Sequence, residues 1–212
     1  MKKRTFLFVL AFLFVSLSFK AQTRYEKEMT TALDALYKAN DLSTYKALAN
    51  KFEAISRVEK DNWLPKYYVS YIYTVLAHFE KETDNKDKSL EIAQNYFNKS
   101  KAQSGNKEEL AILQAYIHQS TFFVSPMTRL SDFGTNSTEI EGLLKSYPNN
   151  PRINLLQGIQ LFNKPGFLGG GAAKAKPFFQ KAESIYNKSQ NLNSLNPNWG
   201  KTLNTIYLKK SE

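Results

Sequence analysis

Residues 149–186 read NNPRINLLQGIQLFNKPGFLGGGAAKAKPFFQKAESIY, two periodic apolar runs joined by a glycine-rich connection. In the first run Leu155, Leu156, Ile159 and Phe162 recur on one side of a helix. Pro151 opens that helix, where a missing N–H is harmless. In the second run Ala175, Phe179 and Ala182 lie four and three residues apart and stack on one face. Pro177 fits the second helix only if that helix begins near Ala173, which puts the proline in its first turn. The spacing predicts two helices packed as a hairpin.

The same small–large–small spacing returns at Ala93, Phe97 and Ser100, and more loosely at Leu48, Phe52 and Ile55. Phe52, Phe97, Ile140 and Phe179 are 45, 43 and 39 residues apart, each central to an even-numbered helix. The odd-numbered helices are Tyr25–Asn40 with Met29, Leu33 and Leu36, an aromatic helix capped by Asp61, and one running from Asn106 to Phe122. Asn106 with Glu109 three residues on has the form of a capping box. The even-numbered ones are expected over Ser43–Lys60, Asp87–Gln103, Ser137–Tyr147 and from Ala173. A last helix starts at Asn196-Pro197 after a polar loop, carries Trp199, Leu203, Ile206 and Tyr207 inward, and ends in Lys209-Lys210. No stretch alternates like a strand, so the expectation is an all-α chain of nine helices. Paired helices at this period bury their faces on the next pair and build an α-solenoid.

The Ala175/Phe179/Ala182 and Ala93/Phe97/Ser100 patterns resemble the second helix of the tetratricopeptide repeat (TPR) family, and Ser70, Ala115 and Gly158 resemble the small residue at its tight helix crossing. The resemblance covers residues 24–188. It implies a TPR-like superhelix of about four helical pairs plus a C-terminal capping helix. A family repeat is about 34 residues, so these units are longer. The surplus is read as three extended loops, Lys81–Lys86, Val124–Asn136 and Lys164–Gly171, lining one rim. The Pro-x-x-x-Gly-Gly-Gly connection and the late Pro-x-Trp-Gly are also similar to exported bacterial TPR-like proteins, among them the T-component proteins of TRAP-type transporters.

The N-terminus, Met1-Lys2-Lys3-Arg4 followed by an apolar run from Thr5 to Phe19 and then Lys20-Ala21, has the form of a signal peptide cut after Ala21. Its 15 apolar residues are short for a bilayer span. The expected product is one domain, residues 22–212, exported to the periplasm or secreted, without stable membrane insertion. The chain has no cysteine, which excludes disulfides, a lipidated cysteine and a thiol nucleophile. The formal charge is +10. The leader holds four of the 29 basic residues and none of the 19 acids, leaving +6 beyond it. Those lysines are interleaved with acids rather than gathered in one stripe, so nucleic acid is not an expected partner.

No catalytic residue, metal site or cofactor is expected. The Gly169-Gly170-Gly171 run lacks the Lys-Ser/Thr and preceding strand of a P-loop. His78 and His118 stand on different helices without ligand spacing and read as helix-flank residues. The function expected is a non-catalytic scaffold that binds a protein or peptide through its concave groove or loop rim. The alternative is a small-molecule-binding accessory protein of a periplasmic transport system, as the T-component resemblance implies. The resemblance places Tyr67, Tyr71, Tyr116, Ile159 and Phe162 near the groove, although the same residues could simply be core. Phe167, Gly169, Gly170 and Gly171 are the candidates on the rim.

Overall fold

In the computed structural model the described residues are 24–188 and 195–212. The leader at 1–21 and most of the polar loop at 191–196 lie outside them. Helix α1 covers 24–36. It is followed by α2 (Leu42–Val58), α3 (Trp63–Phe79), α4 (Thr83–Ala102) and α5 (Lys107–Val124). Then come α6 (Leu130–Ser146), α7 (Pro151–Asn163), a short 3-10 turn at Gly166–Leu168, α8 (Ala172–Lys188) and α9 (Lys201–Lys210). Among the described residues there is no strand, and no helix is long and apolar enough to cross a membrane.

The fold is all-α, built from helices packed in successive pairs. Each helix from α2 onward packs on the next, and α3 also touches α5 as α5 touches α7. The odd-numbered helices therefore form one layer and the even-numbered ones cover it. The spaced faces are buried as their periodicity requires: Ala175, Phe179 and Ala182 are fully enclosed, and so are Ala93 and Ser100. Gly158 lets α7 and α8 meet closely, since a Cβ there would lie 2.4 Å from the Phe179 ring. Met29, Leu33 and Leu36 of α1 join Leu48 and Phe52 of α2 in the main core.

Helix starts follow local chemistry. Asp41 caps α2, Asn62 caps α3, Asn106 caps α5 and Asn150 caps α7, each accepting from a backbone N–H of the first turn. The α3 cap is thus Asn62, one residue beyond the expected Asp61. Asn106 accepts from the Glu109 N–H at 3.1 Å, but the Glu109 carboxylate turns away to Arg152, so no reciprocal box forms. Pro177 falls inside α8, just past its first turn.

Two of the three expected loops are largely helix instead, with 81–82 and 125–129 left as connections. Helix α4 begins at Thr83 rather than Asp87, and α6 at Leu130 rather than Ser137. The reason is tertiary. Arg129 donates to both carboxylate oxygens of Asp87 at 2.9 Å and to the Thr121 carbonyl at 2.9 Å, which pins the α5–α6 bend. Phe133 packs its ring 5.1 Å from Phe122, so the first turn of α6 gains a partner that sequence spacing does not display. The surplus length of these repeats extends even-numbered helices, and only Lys164–Gly171 remains an extended loop.

Candidate binding site

One side of the odd-numbered layer is aromatic because α3 carries Tyr67, Tyr68 and Tyr71, and α5 carries Tyr116. Residues 195–200 lie across it. The Trp199 ring stacks on Tyr71 at 4.9 Å and on Tyr116 at 5.1 Å. Its indole N–H donates to the Tyr67 hydroxyl at 2.8 Å. Three backbone carbonyls of this strap are captured in turn. Tyr68 Oη donates to Leu195 O at 2.8 Å, Arg152 donates to Pro197 O at 2.7 Å, and Tyr186 Oη donates to Trp199 O at 2.8 Å. The strap turns into α9 through Gly200 at φ 101°, a backbone shape that favours glycine.

Arg152 is the charged centre of this arrangement. It is buried, donates to Glu109 Oε1 at 2.6 Å, and lies with its guanidinium 5.5 Å from the Trp199 ring. Burial pushes the Glu109 carboxyl up, and the Arg152 guanidinium beside it works in the opposite direction. Burial likewise pushes Tyr67 and Tyr116 well above the usual phenol range, so both stay protonated donors or acceptors.

The five expected groove residues separate into two sets. Tyr67, Tyr71 and Tyr116 do come together, and their occupant is this chain's own strap. Ile159 and Phe162 belong instead to a second core with Phe179, where Phe162 meets Tyr207 of α9 edge-on at 5.4 Å. Trp199 is the residue that sequence reading misplaced: it precedes α9 rather than riding on it. Ile206, expected inward, is exposed.

Beyond Trp199 the aromatic surface continues toward the C-terminal ends of α3 and α5. The His78 ring stacks on Tyr116 at 6.1 Å with an interplanar angle of 17°, and its Nε2 lies 3.0 Å from Ser120 Oγ. The residue keeps an exposed face. Burial of its other side, then the nearby Lys86, push its pKa down, so it is neutral at physiological pH. Phe79 beside it is exposed and meets Tyr45 at 5.3 Å. The phenols of Tyr45 and Tyr207 are close enough to Tyr116 to add to its raised pKa. His118 differs in kind. Both its nitrogens are engaged, with Glu139 Oε2 at 2.8 Å and Gln114 Nε2 at 2.9 Å.

On the rim, Phe167 is 88% exposed and Leu168 55% exposed, and Met127 in the α5–α6 bend is 85% exposed. The glycines of that loop have backbone roles: Gly169 takes φ 85°, and Gly171 donates its N–H to Leu161 O at 2.8 Å. A Cβ on Gly170 would meet the Lys164 carbonyl oxygen at 2.1 Å. Among the described residues no three His, Cys, Asp or Glu side chains gather as a metal cluster would.

The fold and this site together define an all-α, repeat-like protein of packed helical pairs, whose aromatic layer is covered in part by its own strap. No family model matches the sequence. No curated protein matches it either. Among solved structures the chain is similar to the HusA haemophore from Porphyromonas gingivalis, with a TM-score of 0.73 and 26% identity. The match covers 90% of this chain and 92% of that one.

Proposed function

We propose that this chain is an exported, non-catalytic binding protein whose ligand is haem or a related porphyrin. The observation that carries this reading is the likeness to a haemophore along nearly the whole of both chains. The site agrees with it. The strap already lies where an extended peptide would run, which favours the small-molecule alternative over a peptide groove. Beside the strap, His78 and Phe79 are exposed and Tyr45 packs against Phe79, an aromatic surface on which a planar macrocycle can stack. Lys86, close enough to His78 to act on its pKa, offers a cation to a propionate. In this reading the four pairs are degenerate TPR-like repeats, and residues 1–21 are a leader.

The test is a titration of the protein with iron(III) protoporphyrin IX and with metal-free protoporphyrin IX, followed by absorbance and by quenching of tryptophan fluorescence. Saturable one-to-one binding of at least one porphyrin is expected. A protein that binds neither would overturn the reading. A protein partner at the rim is the second reading, favoured by the exposure of Phe167, Leu168 and Met127.

A further inference from the structure

We propose that the C-terminal end of this chain, the Lys164–Gly171 loop with α8 and α9, docks on an anionic lipid surface, lying on it without spanning it. The inference does not depend on the porphyrin reading above. Charge is divided unevenly along the sequence. Residues 22–163 carry 17 basic and 17 acidic side chains, interleaved as expected. Residues 164–212 carry eight lysines against Glu183 and Glu212, so the whole +6 beyond the leader resides there.

Helix α8 gathers part of that charge in a line. Lys174, Lys181 and Lys188 stand seven residues apart, and seven residues fall only about 20° short of two turns. All three are exposed, while Ala175, Phe179, Ala182 and Tyr186 of the same helix are buried. Glu183 lies about 200° around the helix from Lys181, off the stripe. Helix α9 packs on α8 and adds exposed Lys201, Lys209 and Lys210. Among the described residues none of these lysines is ion-paired with a carboxylate.

An apolar tip stands at the head of the stripe. Gly170 N–H donates to Pro165 O at 3.1 Å and Gly171 N–H to Leu161 O at 2.8 Å, which closes the neck of the loop. Phe167 and Leu168 are exposed beyond that neck. The charged line starts directly behind it, where Lys174 N–H donates to Gly171 O at 3.1 Å. Apolar side chains backed by lysines suit a headgroup layer, since the ring reaches the acyl boundary while the ammonium groups meet phosphates. The choice of base argues against a protein partner. All eight are lysine, and protein interfaces are depleted in lysine and favour arginine.

The experiment is co-sedimentation with vesicles of phosphatidylcholine alone and with about 30% phosphatidylglycerol added. Wild type should bind only the anionic vesicles at about 0.1 M salt and release them at about 1 M, as the screening length falls from about 10 Å to about 3 Å. The triple variant Lys174→Gln, Lys181→Gln, Lys188→Gln should bind about tenfold or more weakly. The control Lys27→Gln, Lys101→Gln, Lys145→Gln removes equal charge from exposed positions elsewhere and should bind as wild type does. Emission of a Phe167→Trp variant should shift to the blue on the anionic vesicles. No binding, equal binding to neutral vesicles, equal loss in both triple variants or an unshifted Phe167→Trp emission would overturn the proposal. Tighter binding to soluble polyglutamate than to the vesicles would assign the patch to an acidic protein and overturn it as well.

Discussion

Gly158 and His118 show how much a single position can carry. Gly158 faces the edge of a fully buried Phe179 ring, so a methyl group there must displace either the ring or the helix. Gly158→Ala is expected to cost about 1–3 kcal/mol despite its better helix propensity, measured as a lower urea midpoint. The resemblance to TPR helices points to this position, as Gly158 matches the small residue of that family's tight helix crossing. His118 is a pH-dependent contributor. The hydrogen bond that its Nδ1–H donates to the Glu139 carboxylate raises its folded pKa above the unfolded value. Its stabilisation is therefore complete below the unfolded pKa and is lost as pH rises through the folded one. Thermal unfolding of wild type and His118→Gln should show the larger gap near pH 5.5 and a smaller one near pH 8.5. The imidazole is about half exposed, so the gap should stay within about 0.2–1 kcal/mol. The lowered pKa of His78 acts in both proteins and cancels in the comparison. The spacing of these two histidines alone gave no sign that one ring is saturated with partners and the other is open.

Among the elements, the helices with strong local periodicity were legible and the ones ordered by distant partners were not. Helices α7 and α8 have their apolar stripe, their glycine connection and their capping asparagine within forty residues of sequence. The first turn of α4 is polar, and the α4 and α6 starts are tied together by the Arg129–Asp87 pair, with Phe133 of α6 packed on Phe122. The strap is the extreme case. Asn196-Pro197 reads as a helix start, yet residues 197–200 are not helical, and Trp199 is 2% exposed and touches three other aromatic rings or hydroxyls. Trp199→Ala is expected to destabilise the protein by about 3–5 kcal/mol in denaturant unfolding, as for other buried tryptophans. If the variant folds, uncovering Tyr71 and Tyr116 should also raise binding of an apolar fluorescent dye. No loss of stability would mean that the strap lies on the groove without holding it.

At the scale of the whole molecule, the repeat period gave the all-α stacked architecture, and the site had to be rebuilt from three-dimensional contacts. Tyr67, Tyr71 and Tyr116 of the odd-numbered layer lie together around Trp199. Ile159 and Phe162 pack in the cluster around Phe179, and from sequence a helical apolar face looks alike whether it turns to a groove or to α8 and α9. Open repeat arrays are held by neighbour-to-neighbour contacts, so they can fray from one end and fold piecewise. Here the Trp199 indole reaches Tyr67, a separation of 132 residues, and the Arg152 guanidinium reaches Pro197. Such a clasp can form only after α3, α5 and α7 are already assembled, which raises contact order and slows the last step of folding. Once closed, it couples early and late repeats, so the array loses the freedom to unravel by parts and should unfold as one cooperative unit.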